Sequence, residues 1–141
     1  MSEKTKILLV GDNWDFLQLL TAALKKHGFD VAATTDPLDA PALARQYQPD
    51  VMILDELTQQ SICVLHFMGS EPAFTNIPIF ITTELMLSDP IPGNKTMPVN
   101  WHICPKPVPR DWLIAYIQNA VATARAKAPG HPAEKTAVGD P

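Results

Sequence analysis

Four residues in this chain could act together on a phosphoryl group: Asp12, Asp55, Thr83 and Lys106. Each stands at or just past the end of a short apolar run. Two neighbouring carboxylates repel each other and attract a hard divalent cation such as Mg²⁺, held by oxygens and water. The cation neutralises the pair and leaves one carboxylate free to attack phosphorus, a form of nucleophilic catalysis. A lysine ammonium offsets one phosphoryl oxygen as a point charge, and a threonine hydroxyl donates to another. Each residue also has a plainer use. Asp55 could cap the loop that follows it, Asp12 a helix, and Lys106 could be a solvated cation in a Pro-rich turn.

The elements that must position these groups follow from the pattern of apolar residues. The stretch 49–57, PDVMILDEL, puts four apolar residues between turn residues, with β-branched Val51 and Ile53 among them. That pattern predicts a strand buried on both faces, as in a parallel sheet. Further strands are predicted over 6–10, 29–34, 76–83 and 99–104. A helix is predicted after the first strand, with Asn13 as N-cap, Asp15 in its first turn, an apolar stripe of Phe16, Leu17, Leu20, Ala23 and Leu24, and Gly28 as its stop. A second helix is predicted from about Asp39 to Tyr47, since Pro41 is tolerated only in a first turn. A third is predicted over 61–68 with Ile62, Leu65 and Met68 inward, after a loop over 56–60. Six prolines between 90 and 109 rule out a regular helix there, so 84–99 is predicted as an irregular loop with at most one turn near Leu85 to Leu87. A last helix opens at Pro109 and carries Trp112, Leu113, Tyr116, Ile117, Ala120 and Val121 inward. Strand–helix alternation with right-handed crossovers predicts an α/β fold, a doubly wound parallel sheet with helices on both faces. In such a sheet the strand ends carrying Asp12, Asp55, Thr83 and Lys106 converge.

Composition bounds the remaining options. The 141 residues suit one domain, 1–126, with a disordered tail over 127–141. A hydrophobic share of 46% is enough for a core, and the net charge of −4 speaks against a nucleic-acid footprint. No apolar run reaches the ~18 residues of a membrane span. The N-terminus lacks a signal-peptide apolar region. Two distant cysteines, Cys63 and Cys104, fit a reducing compartment. The expectation is a cytoplasmic protein that binds neither nucleic acid nor membrane.

The motifs ILLVGDN at 7–13, PDVMILD at 49–55, PIFITT at 78–83 and KP at 106–107 occur in the order found in receiver domains of two-component response regulators. The chain resembles that family from its first strand to about residue 125. The resemblance implies a flavodoxin-like five-stranded sheet of order 2-1-3-4-5. It implies a signalling module rather than an enzyme, a link in a phosphorelay. Asp55 would be the phosphoacceptor, and Asp12, Asp55 and the Leu57 carbonyl would hold Mg²⁺. Thr83 and Lys106 would bind the phosphoryl group and act as switch residues. The partners would be a histidine kinase or phosphotransfer protein and a downstream protein reached by direct contact, no output domain being expected. A homodimer through the last helix and the Pro-rich loop is left open.

The chain also departs from the family pattern. Gly11 stands where a first acid is usual, so Mg²⁺ is expected to bind more weakly. Thr58-Gln59 replaces a Met-Pro pair after the acceptor. Glu84, bulky and anionic, follows Thr83 where a small residue is usual; it would repel a phosphodonor unless it turns outward. Ile103 replaces the switch aromatic, with Trp101 on the same face two residues earlier. The fourth helix is shortened or replaced by the Pro-rich loop. These departures support an alternative, a pseudo-receiver that docks proteins without phosphorylation. Two further options rank lower. Zinc at Cys63-x-x-His66 and His102-x-Cys104 lacks a paired CxxC. A flavin or nucleotide site needs a Gly, Ser or Thr-rich loop where this chain has acidic Gly11-Asp12-Asn13-Trp14-Asp15.

Overall fold

The apolar runs pair edge to edge as parallel strands. The computed structural model describes residues 4–84 and 100–126. Its strands are β1 (Lys6–Val10), β2 (Asp30–Thr34), β3 (Val51–Asp55), β4 (Ile79–Thr83) and β5 (Trp101–Pro105). They form a five-stranded sheet of order β2-β1-β3-β4-β5. This is the flavodoxin-like order.

Side-chain alternation divides the core between the two faces of the sheet. Ile7, Leu9, Val51, Ile53 and Phe80 pack on α1 (Trp14–Lys26) and α4 (Arg110–Ala126). Leu8, Val10, Met52, Leu54, Ile79 and Ile81 pack on α2 (Ala40–Tyr47) and α3 (Gln59–Ser70). β3 is buried at every position because both faces are covered. Each fully buried Leu or Ile there contributes about 1.5–3 kcal/mol.

The helix ends carry the expected signals and some others. The Asn13 side chain accepts from the Phe16 amide at 3.1 Å, and Leu17, Leu20 and Leu24 are buried beneath α1. Gly28 takes φ +90 just past that helix, a conformation that suits glycine. A 3-10 turn, Pro37–Asp39, leads into α2 and accommodates the helix start near Asp39. α3 begins at Gln59, two residues before the expected start. The reason is a capping box. The Ser61 amide donates to Thr58 Oγ1 at 3.1 Å and the Thr58 amide to Ser61 Oγ at 2.6 Å. Val64 is buried in α3, whereas Ile62, expected inward, is only half-buried.

Other boundaries differ from expectation, β2 starting at Asp30 instead of 29 and α4 at Arg110 instead of Pro109. β4 starts at Ile79 instead of 76, and the strand expected over 99–104 is Trp101–Pro105. Val99 lies outside the described residues. Pro109 precedes α4, its carbonyl accepting the Leu113 amide at 3.0 Å. Over 110–123 the buried residues of α4 are Leu113, Ile114, Ile117 and Val121. Trp112, expected inward, is 50% exposed and lies against Tyr116 with ring centroids 4.9 Å apart. The loop expected over 84–99 falls outside the described residues from 85 onward, as does the tail expected over 127–141. Among the described residues, no helix is long and apolar enough to cross a membrane.

Candidate functional site

Asp55 closes β3, the middle strand of the sheet, and its residue is 5% exposed. A carboxylate so deeply buried needs partners, because desolvating an unpaired charge is costly. It has two. Lys106 Nζ lies 2.9 Å from Asp55 Oδ1, and Thr82 Oγ1 donates to the same oxygen at 2.7 Å. The ladder positions both. Asp55 pairs with Thr82 across β3 and β4, and the Lys106 amide donates to the Thr83 carbonyl at 2.8 Å just past β5.

Thr83, expected beside Asp55, points elsewhere. Its Oγ1 donates to Glu56 Oε1 at 3.2 Å. Alternation explains this: Thr82 follows Phe80 by two and shares the α1 face with Asp55, whereas Thr83 follows Ile81 to the other face. Counting by two from Phe80 would have found Thr82 in the sequence.

Glu56, assigned to a loop by sequence, belongs to the same network. Its Oε2 lies 2.7 Å from Lys106 Nζ, so one ammonium bridges the two carboxylates. The Phe16 ring adds a third neighbour, 5.8 Å from Nζ to its centroid. Burial works to lower the Lys106 pKa, but the hydrogen bonds and charges of Glu56 and Asp55 outweigh it and leave it raised. The Lys106-Pro107 peptide is cis.

The other predicted positions are spread around this centre. Asp12 is exposed beyond β1. β1 and β3 are adjacent, with Val10 opposite Leu54, so Gly11 sits beside Asp55. Leu57 is half-buried. Glu84 is exposed. Trp101 and Ile103 share the α2–α3 face as alternation predicts. On the opposite face His102 stacks on Phe80 at 4.7 Å, its Nδ1 3.2 Å from the Tyr116 hydroxyl. Burial lowers the His102 pKa.

The carboxylates of Asp12, Asp55 and Glu56 are oxygen donors of the kind that suits a hard cation. Among the described residues, no group of three or more His, Cys, Asp or Glu is placed to hold a metal ion. Cys63 is exposed and Cys104 is buried, its thiol pKa pushed up to about 11 by burial.

No known family's sequence profile matches the chain. Two curated proteins are similar to parts of it. Protein PilH of Pseudomonas aeruginosa is 44% identical over 50 residues, 36% of this chain and 41% of that protein. Protein RcaC of Microchaete diplosiphon is 28% identical over 109 residues, 73% of this chain and 16% of that protein. The similarity thus spans less than half the length of either relative. Solved structures resemble the chain over most of its length. The receiver domain of Francisella response regulator 1452 superposes with a TM-score of 0.67 at 20% identity, covering 86% of this chain and 99% of that one. The receiver domain of the sensor histidine kinase PA1611 from Pseudomonas aeruginosa, with magnesium in its active-site cleft, gives 0.70 at 21% identity, covering 85% and 99%. The chemotaxis protein CheY4 of Vibrio cholerae gives 0.66 at 20% identity, covering 84% and 99%. The chain is built on the fold of response-regulator receiver domains.

Proposed function

We propose that Asp55 accepts a phosphoryl group and that the domain passes the change on by contact with other proteins. One observation carries this reading. A buried carboxylate at the end of the middle strand has Lys106 at 2.9 Å and Thr82 at 2.7 Å on the same oxygen. With Oδ1 so held, Oδ2 is the oxygen assigned to the new bond. It attacks phosphorus as the bond from phosphorus to the donor breaks, and the electron pair leaves with the donor. The product is an acyl phosphate. The donor class is a phosphohistidine of a kinase or phosphotransfer protein, or a small acyl phosphate. Lys106 would offset charge on one phosphoryl oxygen, and Thr83, assigned to another by the resemblance, would donate to it after releasing Glu56.

Asp12, Asp55 and the Leu57 carbonyl would hold Mg²⁺, which when bound supplies positive charge beside the incoming phosphoryl group. The donor set fits. Mg²⁺ keeps several waters and commonly uses one or two carboxylates. Asp12 is exposed and open to a hydrated ion, while Gly11 contributes no carboxylate, so the ion binds more weakly than at a three-acid site.

The second reading is a docking module that is never phosphorylated. Gly11 and the carboxylate of Glu56 at Lys106 favour it. Incubation with acetyl phosphate and Mg²⁺ separates the two: one added phosphoryl group on the unaltered chain and none on Asp55→Asn supports the first.

A further inference from the structure

Glu56 has left-handed backbone, φ 73. A non-glycine residue holds that conformation only where its surroundings fix it. Here they do. The Glu56 amide donates to the Thr82 carbonyl at 2.7 Å, and the Glu56 carbonyl accepts from Ser61 Oγ at 2.9 Å. The turn is thus tied to β4 on one side and to the first turn of α3 on the other. Its carboxylate spans two donors: Oε1 takes the Thr83 hydroxyl at 3.2 Å and Oε2 lies 2.7 Å from the Lys106 ammonium.

These are the same hydroxyl and ammonium that a phosphoryl group on Asp55 would use. Carboxylate and phosphoryl oxygens are acceptors of one kind, and both form strong charge-assisted bonds. The Glu56 side chain is 31% exposed, so the carboxylate can leave the seat for water without being buried unpaired. We infer that Glu56 is a built-in occupant of the phosphoryl seat. Its carboxylate holds Thr83 and Lys106 until an incoming phosphoryl group displaces it. Glu56 thereby slows phosphorylation and keeps both donors in position between events. The inference rests on assigning Thr83 and Lys106 to the phosphoryl oxygens.

The test has two arms, both on the full chain. In the first, the rate of labelling by acetyl phosphate and Mg²⁺ is compared between the unaltered chain and Glu56→Gln. This change keeps the size of the side chain and removes its charge. Losing one charge-assisted competitor should raise the rate about tenfold. The second arm needs no covalent step. Asp55→Asn and Asp55→Asn/Glu56→Ala are titrated with inorganic phosphate while NMR follows the Thr83 amide and the Lys106 ammonium. Saturable shifts are expected only where Glu56 is absent. If neither chain labels in the first arm but phosphate behaves as expected in the second, Glu56 is the occupant and the phosphoacceptor reading falls. Equal labelling rates, or equal phosphate shifts with and without Glu56, would overturn the inference. So would saturable shifts in Asp55→Asn alone, a result that does not depend on how the Glu56 variants fold.

Discussion

A Cβ added to Gly11 would stand 2.7 Å from the Cβ of Asp55, closer than real Cβ atoms approach one another. It would also lie 3.4 Å from Asp55 Oδ2, the oxygen assigned to the new bond. The glycine therefore does two things. It offers no carboxylate where the resembled family has an acid, and it lets the chain after β1 lie directly against Asp55. Relief of the 2.7 Å contact would have to come from the backbones of β1 and β3, because the atom met there is a Cβ and not a flexible side-chain end.

Restoring an acid at this position should therefore fail to restore a family-type metal site. Gly11→Asp is expected to lower stability by about 1–3 kcal/mol, as overpacking does. It should bring no gain in Mg²⁺ affinity. Urea denaturation and Trp fluorescence titrated with Mg²⁺ measure the two effects, Trp14 lying close to the acidic turn. A variant as stable as the parent that binds Mg²⁺ more tightly would show that the strands yield easily.

The two threonines at the end of β4 should separate by partner. Thr82→Val keeps the shape but strips Asp55 Oδ1 of a buried hydrogen bond, at a cost of about 1.5–3 kcal/mol for a charged acceptor. Thr83→Val removes the bond to Glu56, whose side chain is 31% exposed, and the loss of that bond should cost less than 1 kcal/mol, roughly the value of a partly solvated bond. Thermal or urea unfolding of both variants gives the comparison, and a larger loss at Thr83 would reverse the assignment.

Lys106→Met leaves two carboxylates without their shared cation. Asp55 keeps only Thr82, and its side chain is 2% exposed. The expected loss is roughly 2–3 kcal/mol, below that of a fully buried pair because Lys106 is itself 26% exposed. The pH dependence has a definite sign. The folded state raises the Lys106 pKa above its ordinary 10.5. Its contribution is therefore complete below 10.5 and fades as pH rises through the raised folded value. Unfolding midpoints of parent and Lys106→Met should converge at strongly alkaline pH and stay apart at neutral pH. Curves that remain parallel into alkali would contradict this.

His102 acts at the other end of the scale. Burial between Phe80 and Tyr116 lowers its pKa below the usual 6.5, so the folded state prefers the neutral ring. The unfolded chain takes up the proton first as pH falls. Stability is full above about 6.5 and declines below it, through the lowered folded value. His102→Phe keeps a ring against Phe80 and cannot titrate. Its urea midpoint should fall less than the parent's between neutral pH and pH about 5. An equal fall in both would exclude His102 as a source of acid sensitivity.

The sheet was legible because four consecutive apolar residues in β3, two of them β-branched and bounded by turn residues, predict a strand covered on both faces. The place of Asp55 followed, since it ends that strand, and so did that of Lys106 just past β5. Thr82 was passed over because the motif after β4 favoured Thr83, although alternation from Phe80 puts Thr82 on the Asp55 face. Glu56 was not legible. Its role depends on left-handed backbone held by Thr82 and Ser61, and no residue pattern in the stretch EL-T signals that conformation. Gly11 was read as a missing charge, yet its closeness to Asp55 is a three-dimensional fact of how β1 sits beside β3. Trp112 misled the helix stripe because Ile114, on the inner side of α4, fills the core in its place.

The central claim is that Asp55 takes a phosphoryl group. Intact mass after incubation with acetyl phosphate and Mg²⁺, with Asp55→Asn alongside, tests it most directly. The account predicts one added phosphoryl group on the unaltered chain and none on the variant. An unchanged mass in both, under conditions where Glu56→Gln also stays unlabelled, would contradict it and leave the domain as a docking module.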